Sequence, residues 1–180
     1  MGSNPCVSCR EHCCIGDYAT FVTLGDVRRI AKFTGRPPDE FAKYDDICAD
    51  PEGQEELMEE KDHSYFEYDK SGKVLQLKAK DNGECIFLKD MKCTIYPARP
   101  LVCRIFPIGF RKEGDSFRML VEEEDISCPI AADGSLSGIF RFLGYDKEKA
   151  NSLIKQFLEE VEEYRKNIAL LGENKLADLI

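Results

Sequence analysis

Histidine is scarce in this chain of 180 residues: His12 and His63 are the two it has. A catalytic cysteine needs an imidazole or similar base within reach, so that chemistry has few ways to be built here. Basic charge is also short, with 25 Lys and Arg against 34 Asp and Glu and a formal charge of −9. Nucleic acid is disfavoured as the main partner, because phosphate binding needs a basic footprint. No apolar run approaches the ~18 residues of a membrane span, so no membrane contact is expected. No phosphate-binding glycine loop is present, and no repeat of solenoid length recurs. Where an apolar signal segment would lie, Arg10, Glu11, His12 and Asp17 are interspersed with four cysteines, which fits no secretory signal. The expected location is the cytoplasm. With 43% hydrophobic and 33% charged residues, the composition is that of one globular domain over 1–180.

Sulfur is what the chain has in excess. There are nine cysteines, an odd number that cannot fully pair, and a reducing cytoplasm rarely forms structural disulfides. One group is Cys6-x2-Cys9-x3-Cys13-Cys14; a second is Cys85-x7-Cys93-x9-Cys103, with Cys128 further on. A Cys-x2-Cys pair can aim two thiolates at one metal from a tight turn. Adjacent residues in extended chain point apart, so Cys13 and Cys14 could serve two metals, two irons of one cluster, or one ligand position and one packing position. His12 lies inside the first group, where several thiols compete with it as ligand. A thioredoxin-like use of Cys6 and Cys9 lacks the expected βαβ setting. Between Glu84 and Lys112 six basic residues face two acidic ones, a local charge of +4 in an acidic protein. Such neighbours favour thiolate, although the same charges would suit an ordinary surface. Ile86, Phe87, Ile95, Tyr96, Phe106 and Phe110 interleave with the second group and could supply a dry shell around it.

The pattern along the chain predicts an α+β fold: a small cysteine-rich, metal-centred domain with short β-hairpins and a long C-terminal helix packed on it. Thr23 and Asp26 predict a capped helix carrying Leu24, Val27, Ile30 and Ala31 on one face, stopped by Gly35 and Pro37-Pro38. A second short helix is expected over 39–45. Residues 45–62, with nine acidic side chains and one lysine, read as a solvated acidic surface excursion, and its isolated Cys48 as a spare thiol. Hairpins are expected with arms at 66–68 and 75–77, and at 105–110 and 117–121, with a turn at Asn82-Gly83 and a short strand over 85–88. Over 137–180 the chain turns helical. A short helix closes at Gly144, and a long one capped by Asp146 carries the stripe Ala150, Leu153, Ile154, Phe157, Leu158, Val161, Tyr164, Ile168 and Leu171. The stripe suits packing on the core or a partner helix.

Cys6-x2-Cys9-x3-Cys13-Cys14, Cys85-Ile86-Phe87-Leu88, Cys93-Thr94-Ile95-Tyr96, Arg99-Pro100, Cys103-Arg104 and Phe106-Pro107 together resemble the YkgJ-type cysteine-cluster family, over about residues 5–130. The resemblance implies a zinc- or iron-chelating core. It implies a ligand set of Cys6, Cys9, Cys13, Cys14, Cys85, Cys93, Cys103 and Cys128, with Cys48 outside it. Family members are often labelled iron–sulfur oxidoreductases, and flagellin lysine-N-methylases carry a similar cysteine arrangement, though this chain is short for such an enzyme. Three functions are therefore expected in competition. The first is an iron–sulfur protein, with a [4Fe-4S] cluster and a protein redox partner. The second is a structural zinc module for protein interaction, and the third an enzyme supported by the metal. Soft thiolates admit both metals.

Overall fold

The computed structural model describes residues 14–15, 20–46, 72–113, 116–121, 135–171 and 176–179. Helix α1, Leu24–Thr34, starts at the predicted cap. Thr23 Oγ1 accepts from the Asp26 N–H at 3.0 Å, and Asp26 Oδ2 accepts from the Thr23 N–H at 3.1 Å. This is a reciprocal capping box with Asp in the place usual for Glu. Gly35 ends the helix at φ 67° and donates its N–H to Ala31 O at 2.8 Å, a left-handed position that glycine adopts without steric cost. Leu24, Val27 and Ile30 point into the core.

The helix expected over 39–45 does not form. A 3-10 turn, Pro38–Glu40, leads into strand β1, Ala42–Asp46, which pairs antiparallel with β2, Lys73–Leu77, from Ala42↔Leu77 to Asp46↔Lys73. A segment this short has little helical stability of its own, and the ladder with β2 supplies the hydrogen bonds instead. The other edge of β2 takes residues 20–22: Val22 N–H donates to Leu75 O at 3.1 Å and Leu77 N–H to Thr20 O at 2.9 Å. Central placement explains why Val74, Leu75 and Leu77 are all buried. Both edges of β2 are thus taken, and the expected partner arm at Phe66 and Tyr68 lies outside the described residues, as does the acidic stretch 47–62.

The turn at Asn82-Gly83 forms, with Gly83 at φ 80°. It folds residues 78–80 back on 84–86, through Lys80 N–H to Glu84 O at 2.7 Å and Ile86 N–H to Lys78 O at 3.1 Å. The continuous strand expected over 85–88 is broken by a turn before β3, Leu88–Lys89, which pairs with β4, Lys92–Cys93. Asp90 and Met91 between them both have positive φ, 49° and 58°, as a two-residue type I′ turn requires to match strand twist. A 3-10 turn, Tyr96–Ala98, then leads to helix α2, Leu101–Ile105. Because α2 takes these residues, the following hairpin begins later than expected. Strand β5, Ile108–Glu113, pairs with β6, Ser116–Val121, from Ile108↔Val121 to Glu113↔Ser116.

Helix α3, Leu136–Leu143, is capped by Ser135 Oγ, which accepts from Gly138 N–H at 3.1 Å, and stops at Gly144. Asp146 Oδ1 accepts from Lys149 N–H at 2.7 Å, and α4, Lys147–Leu171, follows. Its predicted stripe is the face it buries, from Ala150 to Leu171, against α2, α1 and the β5–β6 hairpin. Phe157 meets Phe110 edge-on at 5.8 Å. Tyr164 is fully buried, and its hydroxyl accepts the Leu75 N–H at 3.3 Å, so the long helix reaches the central strand. The expected α+β class, with the long helix packed on the core, is what forms. No helix among the described residues is long and apolar enough to cross a membrane.

The left-handed turn yields a prediction. An exposed methionine at φ 58° gains no core packing, and a side chain in that region costs about 1–2 kcal/mol, partly offset in glycine by its greater unfolded-state entropy. Met91→Gly should therefore stabilise by about 0.5–1 kcal/mol, and Met91→Val should destabilise. Urea midpoints measure both.

Candidate metal centre

Cys14 and Cys85 belong to different sequence groups, yet the fold puts them side by side. The Cys85 N–H donates to Cys14 O at 2.8 Å, and Ile15 bridges Glu84 in the same antiparallel step. Cys14, the last cysteine of the first group, is thereby set at the edge of the turn that begins the second. Cys93 lies in β4 directly across from Leu88, whose N–H donates to Cys85 O at 2.9 Å. One compact knuckle therefore carries Cys85 and Cys93, both half-buried against the core. Cys103 is half-buried on α2.

Two cationic braces hold this region. Lys80 Nζ donates to Glu84 Oε2 at 2.8 Å and to Leu88 O at 2.5 Å, tying together the residues on either side of Cys85. Arg104 donates to Arg99 O at 2.9 Å and Pro97 O at 2.5 Å, fixing the 3-10 turn to α2. The buried Arg99 guanidinium stacks 3.8 Å from the Tyr96 ring centre, a cation–π contact. Arg99 and Arg104 are thus built into the turn that precedes Cys103, while Lys89, Lys92 and Arg111 are exposed.

Beneath α2 lies a second polar cluster. Asp26 is fully buried, and its Oδ1 accepts the Leu101 N–H at 2.9 Å and Arg29 Nη2 at 2.5 Å. Arg29 also donates to both carboxylate oxygens of Glu160, at 2.5 and 2.9 Å. Gln156 donates to Glu160 at 2.9 Å, and the Thr23 hydroxyl donates to it as well. Burial pushes the Asp26 carboxyl up, against the charge of Arg29 and the N–H donors of Thr23 and Leu101. Burial works the same way on Glu160, but there the donors Arg29, Thr23 and Gln156 prevail and hold it below the usual carboxylate range.

Residues 5–128 match the CxxCxxCC family, described as "Putative zinc- or iron-chelating domain". The chain belongs to that family. Comparison with curated proteins and with solved structures returned no match. Membership makes metal chelation the function of the cysteine core. The donor chemistry fits, since thiolates suit zinc or iron, and the backbone of Cys14 lies beside that of Cys85. The described residues do not complete a ligand set, because no three His, Cys, Asp or Glu side chains among them gather into a group that could hold a metal. Cys6, Cys9, Cys13, Cys128, Cys48 and His12 lie outside the described residues.

The polar cluster was not read from the sequence, although one signal was there. Glu160 falls on the apolar stripe of α4, three residues after Phe157 and four before Tyr164, where a charge calls for a buried partner.

Two outcomes test this description. Cys93→Ser and Cys103→Ser should each lower the metal-to-protein ratio, whereas Cys48→Ser should leave it unchanged; elemental analysis of the purified variants decides. For Glu160 the folded pKa lies below the unfolded one, so its contribution is present above the ordinary carboxylate range and is lost as pH falls through the folded value. The melting-temperature gap between wild type and Glu160→Gln should be widest near neutral pH and close towards about pH 3. Asp26, whose pKa is raised, acts with the opposite sign and is common to both proteins.

Proposed function

We propose that this protein holds an iron–sulfur centre of the [4Fe-4S] kind on thiolates drawn from Cys6, Cys9, Cys13, Cys14, Cys85, Cys93, Cys103 and Cys128, and passes electrons to a protein partner in the cytoplasm. The observation that carries this reading is the Cys85 N–H to Cys14 O bond of 2.8 Å. It sets the backbones of two cysteines from the two sequence groups side by side, which supports a centre shared between the groups. Eight thiols in two groups are more than one closed zinc site of four needs, and clusters of iron and sulfide are held by cysteine sets of this sort. The cationic braces around Cys85 and Cys103 offset the negative charge that several thiolates bring. Residues 1–180 act as one domain in this reading, with 5–130 as the metal core.

A bound cluster would supply one-electron chemistry. The chain's own contribution is to hold thiolates at fixed positions and to keep a dry apolar wall, including Phe87 and Ile95, behind them. The zinc reading has support of its own. Cys85 and Cys93 project from a tight, braced knuckle packed on the core, which suits a closed site whose purpose is stability. Structural zinc contributes about 10–16 kcal/mol in small peptides, as much as the ~5–15 kcal/mol that keeps a whole domain folded.

Anaerobic purification followed by metal and sulfide analysis separates the two. Iron with acid-labile sulfide and a brown colour is the expected result; a colourless protein with stoichiometric zinc overturns the cluster and favours the structural site. In either case, chelation should abolish the near-UV circular dichroism.

A further inference from the structure

We propose that Asp26 is a positioning residue for the metal centre, and that Arg29 and Glu160 extend its hold from the Cys103 helix to the long helix α4. This inference rests on the reading of Cys103 as a ligand. Helix α2 has five residues and is preceded by Pro100, which offers no side-chain cap. So short a helix does not persist by its own hydrogen bonds, and its first N–H groups need outside acceptors. The carboxylate of Asp26, 75 positions away in sequence, provides one at 2.9 Å from the Leu101 N–H. Cys103 stands two residues into the same turn, so the placement of Leu101 sets the placement of its sulfur.

The acceptor is itself immobilised. Asp26 is locked by its capping box with Thr23 and by Arg29 at 2.5 Å. Arg29 is in turn gripped by Glu160 through two bonds. Gly25 makes that grip possible: a Cβ at this position would run into the Glu160 carboxylate. Glu160 lies beyond residue 128, where the family match ends. A side chain outside the chelating domain therefore helps to orient one of its ligands. Partners that orient ligands from behind typically contribute 10–100-fold to metal affinity.

The test uses the full-length reduced protein, with Zn2+ partitioned against a competing chelator and amide exchange followed in the metal-free form. Asp26→Ala should weaken Zn2+ binding by about tenfold or more and speed exchange at Leu101, while exchange in the β1–β2 ladder stays at wild-type rates. Glu160→Gln should move both readings in the same direction by less, and it decides the matter if Asp26→Ala does not fold. Ile30→Val, which thins the buried face of α1 without touching the network, should leave Zn2+ affinity unchanged; a loss equal to that of the network variants would reduce the effect to general stability and overturn the proposal. Wild-type affinity in both network variants, alongside lost binding in Cys103→Ser, removes the positioning role and spares the ligand. Wild-type affinity in Cys103→Ser removes the ligand reading, and the positioning role with it.

Discussion

A carboxylate taken out of water is costly unless its charge and lone pairs are met, and Asp26 meets that demand by binding three parts of the chain at once. Its two oxygens take the N–H of Thr23 at the start of α1, the N–H of Leu101 at the start of α2, and the guanidinium of Arg29. Arg29 completes the arrangement by reaching Glu160 on α4. Three helices that share no continuous run of sequence are thus set at fixed offsets by one buried charge cluster. Apolar packing around it is less directional, since it rewards contact in many orientations. The cluster selects one of them.

Sheet structure plays the corresponding part on the sulfur side. The strand pairs are short and would be marginal alone. They persist because each is pinned elsewhere: β2 between β1 and residues 20–22, the 78–86 turn by Lys80, and the β5–β6 hairpin by Phe110 against Phe157. Pieces of this size carry thiols well, since a turn of two residues brings a cysteine back beside its neighbours without a long connecting element. The type I′ geometry at Asp90-Met91 serves that purpose by aligning Cys93 with Leu88.

Local rules were enough for α1, α3 and α4, whereas α2 was not read and the helix expected over 39–45 does not form. Thr23 with Asp26, Gly144, and Asp146 with its stripe each announce a start, a stop or a buried face, and each of those signals acts within a few residues. The β structure was less legible for the opposite reason. Nothing in residues 42–46 says that residues 73–77 will be their partner, and Phe41 and Tyr44, three positions apart, share a face in a helix but not in a strand, so their spacing favours the wrong element. The cysteine pattern was legible as chemistry but not as geometry. The family resemblance implies Cys85, Cys93 and Cys103 as ligands; that Cys14 returns to Cys85 depends on pairings far apart in the chain. The Asp26 network is the extreme case, because Leu101, Arg29 and Glu160 become neighbours only after the three helices have packed.

The pairing of Cys14 with Cys85 also imposes an order in time. Synthesis releases Cys14 well before the segment at 84–86 against which its backbone lies. Throughout that interval its thiol is a soft donor that stray metal and oxidants can reach. Helix α4, which packs on α1 and α2, emerges later still. A centre shared by the two groups, as proposed, is therefore completed only after residues 84–86 have been made, which makes a supply of the correct metal during synthesis part of what that reading requires.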